Sequence, residues 1–124
     1  MPKESPKEDK KREERITYSI VVDAYGEVER ALGWYYYLEG MITFPFTGEC
    51  IKDRKISPLR KGEKVEVVGM SDEDDCMREV FVQIKWQGRE MGIPLEQIRP
   101  LKADKDTRQA IDDWHYWMAM GYIF

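Results

Sequence analysis

Two period-two segments separated by an acidic run limit most severely how this chain can fold. Lys64-Val65-Glu66-Val67-Val68-Gly69-Met70 lies before the run, and Glu79-Val80-Phe81-Val82-Gln83-Ile84-Lys85-Trp86 lies after it. Val65 and Val67 alternate with Lys64 and Glu66; Val80, Val82 and Ile84 alternate with Phe81, Gln83 and Lys85. Alternation of this kind marks half-buried strands. Their connection is Ser71-Asp72-Glu73-Asp74-Asp75-Cys76, and from Ser71 to Glu79 five acids face one base, Arg78, for a local charge of −4. Four of those acids are consecutive. Crowded carboxylates at a tight connection raise electrostatic energy, so either solvent screens them or a cation neutralises them.

Spacing separates some of the metal readings. Counted from Asp72, an EF-hand loop would place its third alternating acid on Cys76, its glycine on Met77 and its final glutamate on Gln83. The run is therefore not an EF-hand. Calcium still needs only about six to eight oxygen ligands, which a loop of Asp and Glu can supply in part, with carbonyls and water completing the shell. Hard oxygen donors favour calcium over transition metals. On the residues alone, a solvated turn and a cation site both stay open. Zinc would need Cys50, Cys76, His115 and a carboxylate to converge without any Cys-x-x-Cys or His-x-x-x-His spacing. His115 reads as a hydrogen-bonded structural residue. Asp112 and Asp113 read as solvent-facing or bonded to a neighbour. With one His, no nucleophile motif and no Gly-rich phosphate loop, the chain does not read as an enzyme.

The rest of the chain supports a small bent barrel between helices. Residues 1–15, with no apolar periodicity, read as a disordered charged tail ahead of one domain over 16–124. Ile16–Val22 suits a strand or a buried helical turn. Val28, Ala31, Leu32, Tyr35 and Leu38 predict a helix over Gly26–Glu39, with Gly40 as its stop. Within it, Trp34–Tyr37 reads as core and rim packing. Met41–Thr47 is an extended connector around Pro45, Glu49–Lys55 a weak first strand, and Ser57–Gly62 a turn. Trp86–Met91 contains a Gly reversal, and Met91–Leu95 is a strand that Pro94 marks as an edge or an end. A helical turn follows at Glu96–Ile98. Asp106 and Gln109 suggest a capping box for a last helix whose Ala110, Ile111, Trp114, Trp117 and Met118 share one face. The predicted fold class is α+β: an SH3-like, strongly bent barrel of four or five short antiparallel strands, flanked by an N-terminal and a C-terminal helix.

Charge and hydropathy narrow the partners. Residues 1–15 hold six bases and five acids, and the remainder holds 14 bases and 19 acids. A mildly acidic body argues against nucleic-acid binding, which needs a basic footprint. No apolar run approaches the roughly 20 residues that span a bilayer, so no membrane role is expected. The charged N-terminus lacks a signal-peptide core, which points to the cytoplasm, where Cys50 and Cys76 would be reduced thiols.

Several aromatic-rich blocks carry a resemblance. They are Val22-Asp23-Ala24-Tyr25, Gly33-Trp34-Tyr35-Tyr36-Tyr37-Leu38-Glu39, Phe44-Pro45-Phe46 and Ser57-Pro58-Leu59. The two strands flanking the acidic run, Ile93-Pro94-Leu95 and Gln109-Ala110-Ile111-Asp112-Asp113-Trp114-His115-Tyr116-Trp117 continue it. Over about residues 16–124 the chain resembles a small calcium-binding family known from cyanobacteria that does not use EF-hands. The resemblance implies a cytosolic calcium buffer or regulator, with calcium as ligand and surface carboxylates and carbonyls as donors. It carries over to Asp72, Glu73, Asp74 and Asp75. Glu39 is added because carbonyl oxygens with partial negative charge are exposed at a helix C-terminus. A monomer is expected, with no protein partner identified. The competing reading is a small-barrel interaction module with no metal requirement, using exposed aromatics from Tyr35–Tyr37 or Trp86.

Overall fold

The computed structural model describes residues 7–124. Helix α1 spans Lys10–Arg15 and runs into a π-helical turn at Ile16–Ile20. Helix α2 is Glu27–Met41 and helix α3 is Lys105–Ala119. The strands are β1 (Phe46–Cys50), β2 (Lys64–Met70), β3 (Phe81–Trp86), β4 (Arg89–Pro94) and β5 (Ile98–Lys102).

The five strands form one antiparallel sheet in the order β4-β3-β2-β1-β5. Strands β4 and β5 are its two edges, yet only a 3-10 turn, Leu95–Gln97, joins them. A three-residue link between opposite edges forces the sheet to curl until those edges approach, which gives the expected bent barrel without a closed ladder. Bulges sharpen the curl: the β2–β3 register slips between Val67 and Gly69, and the β1–β5 register slips at Thr47/Gly48. Val65, Val67, Val82 and Ile84 point inward, as the alternation predicts; Ile93 and Ile98 join them, Ile98 as the first residue of β5 and not as part of the expected helical turn. Gln87 and Gly88 both take positive φ, which suits the two-residue β3–β4 hairpin. The first strand begins earlier than expected. Phe46, Gly48 and Cys50 form its inward face, while 51–55 leaves the sheet because the chain turns there to bury Leu59.

Helices α2 and α3 cover the barrel and pack through aromatic rings. Trp34 lies 5.1 Å from Trp114 and 5.4 Å from Trp117 between ring centroids. Gly40 does not stop α2. The helix continues to Met41, and buried Ile42 turns extended ahead of Pro45. At the end of α3, Gly121 at φ +77° closes a Schellman motif, with Tyr122 N–H bonded to Trp117 O and Gly121 N–H to Met118 O.

The cap of α3 also differs from expectation. Asp104, not Asp106, is the N-cap, and its Oδ1 accepts Thr107 N–H at 2.7 Å. Thr107 is buried and its Oγ1 accepts Thr43 N–H at 2.9 Å, so the connector from α2 fixes where the helix begins. Asp104→Ala should lower stability by about 1 kcal/mol, whereas Asp106→Ala should change it by less than about 0.5 kcal/mol. Urea midpoints of the two variants test this, and equal losses would rule out the assigned cap.

The disordered-tail expectation is corrected for the part that is described; residues 1–6 lie outside the described residues. Asp9 caps α1 by accepting Arg12 N–H at 3.0 Å. The helix buries no residue of its own. Its anchor is the side chain of Asp113 on α3, fully buried, which receives Arg15 through two bonds of 2.9 and 2.7 Å. Tyr37 OH donates to the same carboxylate at 2.7 Å. Arg12 Nε lies 3.2 Å from it but off the N–H direction, so it contributes charge rather than a hydrogen bond. A local reading of composition has no access to an ion pair 98 residues long in sequence.

Candidate functional site

The acidic run occupies the β2–β3 connection and is pinned from three sides. Ser71 N–H bonds to Phe81 O at 3.1 Å and closes the end of the ladder. Glu73–Cys76 then forms a 3-10 turn, with Asp75 N–H bonded to Asp72 O. Cys76 is the inward plug: it is buried, and its Sγ accepts Phe81 N–H at 3.4 Å. From α2, Tyr35 OH donates to Ser71 O at 2.7 Å in a buried bond, and Tyr36 OH donates to Glu73 Oε1.

Asp72, Glu73, Asp74 and Asp75 are all exposed. A 3-10 turn has about three residues per turn, so the side chains of Glu73, Asp74 and Asp75 leave it in three different directions. They share a surface and do not converge on one point. Among the described residues, no three His, Cys, Asp or Glu side chains are arranged to hold a metal ion. Glu39 is exposed on α2, one turn beyond Tyr35 and Tyr36. Burial pushes the Tyr35 hydroxyl up to about 12, and repulsion from Glu39 adds most to it, followed by Cys76, Glu73 and Asp72. Glu39 and the turn thus act on the same tyrosine, and α2 brings them to one side of the molecule. Glu79 drops out of the acidic run because Arg54 binds it together with Glu96.

A recess of about 320 Å³ opens beside the turn, lined by Ser71, Asp75, Phe81, Gln83 and Gly92. Gln83 Nε2 donates to Ser71 Oγ at 2.8 Å. A Cβ at Gly92 would sit 3.1 Å from Ser71 Oγ and 3.3 Å from Gln83 Nε2, so glycine keeps this floor open. In the sequence, alternation puts Gln83 on the outward face of β3 and nothing marks Gly92. The two meet because the β3–β4 register pairs them, and that register follows from the Gln87-Gly88 hairpin.

The donor chemistry suits calcium and not zinc. Every exposed donor on the turn is a carboxylate or carbonyl oxygen, and an exposed turn leaves room for the water that completes a large, flexible calcium shell. Cys50 and His115 both lie near Ile98, but among the described residues neither joins Cys76 in a group that could hold a metal ion. Burial, the largest cause in each case, raises both thiol pKa values. His115 Nε2 is 2.7 Å from Ile98 O, and burial lowers its pKa, so it is a neutral structural imidazole.

The aromatic docking surface considered in the sequence is mostly absent. Tyr35 is buried, Tyr37 is half-buried against Asp113, and Trp86 is half-buried. Only Tyr36 in that run is exposed. Among the described residues, no helix is long and apolar enough to cross a membrane.

Comparison with known proteins follows the same direction. A family model described as calcium binding, CcbP type, matches residues 14–118. The crystal structure of Anabaena CcbP is 40% identical, with a TM-score of 0.86 over 97% of this chain and 98% of that one. A calcium binding protein solved in the calcium-binding form is 39% identical, with a TM-score of 0.83 over 94% of this chain and 95% of that one. No curated protein sequence matches the chain.

Proposed function

This chain belongs to the CcbP calcium-binding family and binds calcium, and from that premise we propose that the acidic β2–β3 turn receives the ion. Asp72, Glu73, Asp74 and Asp75 are the carboxylate donors in this reading, and Glu39 adds charge, or a ligand, from the neighbouring end of α2. The observation that carries it is the combination of four exposed carboxylates with a backbone pinned by Ser71, Cys76 and Tyr35. The pinned backbone limits what must be ordered on binding. The splayed side chains require rotation and water to complete the shell, which favours reversible, modest affinity over a rigid cage.

In the cell this corresponds to a buffer or regulator of free calcium. The family is one of calcium-binding proteins rather than enzymes. The same reading takes a single domain working as a monomer in the cytosol, where the two buried cysteines would stay reduced.

Calorimetric titration with calcium, and with magnesium in parallel, tests the site. Asp74→Asn/Asp75→Asn should weaken calcium binding about tenfold, a change of about 1.4 kcal/mol. Glu66→Gln/Glu90→Gln, at exposed acids on the sheet, should leave the isotherm within a factor of two. An unchanged isotherm for the first pair would move the site elsewhere.

A further inference from the structure

The β1–β2 loop reverses the charge of the molecule. Residues 52–64, the loop together with the first residue of β2, hold six bases (Lys52, Arg54, Lys55, Arg60, Lys61 and Lys64) and two acids (Asp53 and Glu63), a net of +4. The whole chain is −4, so everything outside this stretch is −8. Lys52 and Arg54 are used internally, paired with Glu96 and with Glu79 and Glu96 respectively. Lys55, Arg60, Lys61 and Lys64 are exposed, and among the described residues none of them pairs with a carboxylate.

The loop is also well built. Asp53 Oδ1 accepts Lys61 N–H at 2.7 Å and Glu63 Oε1 accepts Arg60 N–H at 2.6 Å, so both acids serve the backbone. Gly62 N–H bonds to Cys50 O, Ile51 N–H bonds to Gln97 O, and Leu59 is buried to 1% exposure. This frame encloses a recess of about 370 Å³ lined by Asp53, Arg54, Lys55, Ser57, Leu59 and Arg60, among others. Ile56 stands beside it, 59% exposed. A cationic rim, an apolar floor and an exposed isoleucine, held by backbone bonds, form a preorganised receptor rather than a solvated charge run.

We propose that the β1–β2 loop docks an acidic segment of a partner protein, with Lys55, Arg60 and Lys61 receiving its carboxylates and Ile56 and the Leu59 floor receiving an apolar side chain. A nucleic acid fits less well. Its charge continues past a single loop, and beyond this loop it meets a body of −8. The proposal shares no residue with the calcium site and stands independently of it.

The test uses the full chain and a fluorescent twelve-residue peptide of Asp and Glu around a central Leu, followed by anisotropy in 50 mM salt. Saturable binding is expected, weakening at least tenfold at 300 mM salt and several-fold when the peptide Leu is replaced by Ser. Lys55→Glu/Arg60→Glu/Lys61→Glu should weaken it at least twentyfold. Lys10→Glu/Lys11→Glu/Lys105→Glu makes the same change in net charge and should stay within threefold. Urea midpoints establish that both variants fold. Absence of saturation at millimolar protein, or equal loss in the two variants, would overturn the proposal. So would loop-dependent self-association in sedimentation, which would make a second copy the occupant.

Discussion

Replacing Asp113 by Ala is expected to remove about 3 kcal/mol of stability and to loosen the whole N-terminal segment. The carboxylate is fully buried and serves Arg15 through two hydrogen bonds, Tyr37 through one, and Arg12 through charge. Hydrogen bonding to Asp113 is the largest cause of the raised Arg15 pKa, so the guanidinium prefers this site to water when charged. Removing one member of a buried ion pair costs about 3–5 kcal/mol because its partner is stranded. The lower end applies here, since Arg12 and Arg15 keep side-chain exposures of 26% and 28% and can regain water. A domain of this size has about 5–15 kcal/mol in total, so the variant should still fold. Urea unfolding gives the loss, and amide exchange at 10–20 should accelerate far more than exchange in β2 or β3. A change under about 1 kcal/mol with unchanged exchange would mean that α1 is held by something other than this carboxylate.

The parts of the fold legible in the sequence are those decided locally. Strands β2, β3 and β4 follow from alternation and from Gln87-Gly88, whose positive φ values select the hairpin. Helices α2 and α3 follow from spacing of apolar residues, and their meeting through Trp34, Trp114 and Trp117 follows from where those rings fall. What escaped depends on residues distant in the chain. Helix α1 looks like a solvated charge run until Asp113 is brought to it. The α3 cap moved from Asp106 to Asp104 because Thr43 binds Thr107 from another element. The candidate site divides in the same way. Its charge and position could be read, and so could its departure from EF-hand spacing. The splay of the carboxylates comes from the 3-10 geometry of Glu73–Cys76, and the recess at Gln83 and Gly92 comes from strand register. Neither leaves a mark in composition.

Gly33→Ala shows how a residue that favours its own helix can still damage the fold. Inside α2, alanine should gain about 1 kcal/mol over glycine from helix propensity. Against that stands the π-helical turn, whose backbone crosses α2 at this point. A Cβ on Gly33 would fall well under 3.0 Å from the carbonyl oxygen of Ile20, a backbone atom that no rotamer change can move. The turn would have to lift, and it carries Ile16 and Ile20, which are 2% and 4% exposed. Full burial of one Ile is worth about 1.5–3 kcal/mol, so partial loss of two outweighs the propensity gain. The net expectation is a loss of about 2–3 kcal/mol, read from urea unfolding, with faster amide exchange over 16–21. Calcium affinity should change less than twofold, because the turn at 72–75 is held by Tyr35 and Cys76 rather than by the N-terminal segment. Unchanged or increased stability would mean that the π-helical turn can shift at little cost. A large fall in calcium affinity would instead tie the N-terminal segment to the ion through the position of α2, and would make the packing at Gly33 part of the binding machinery.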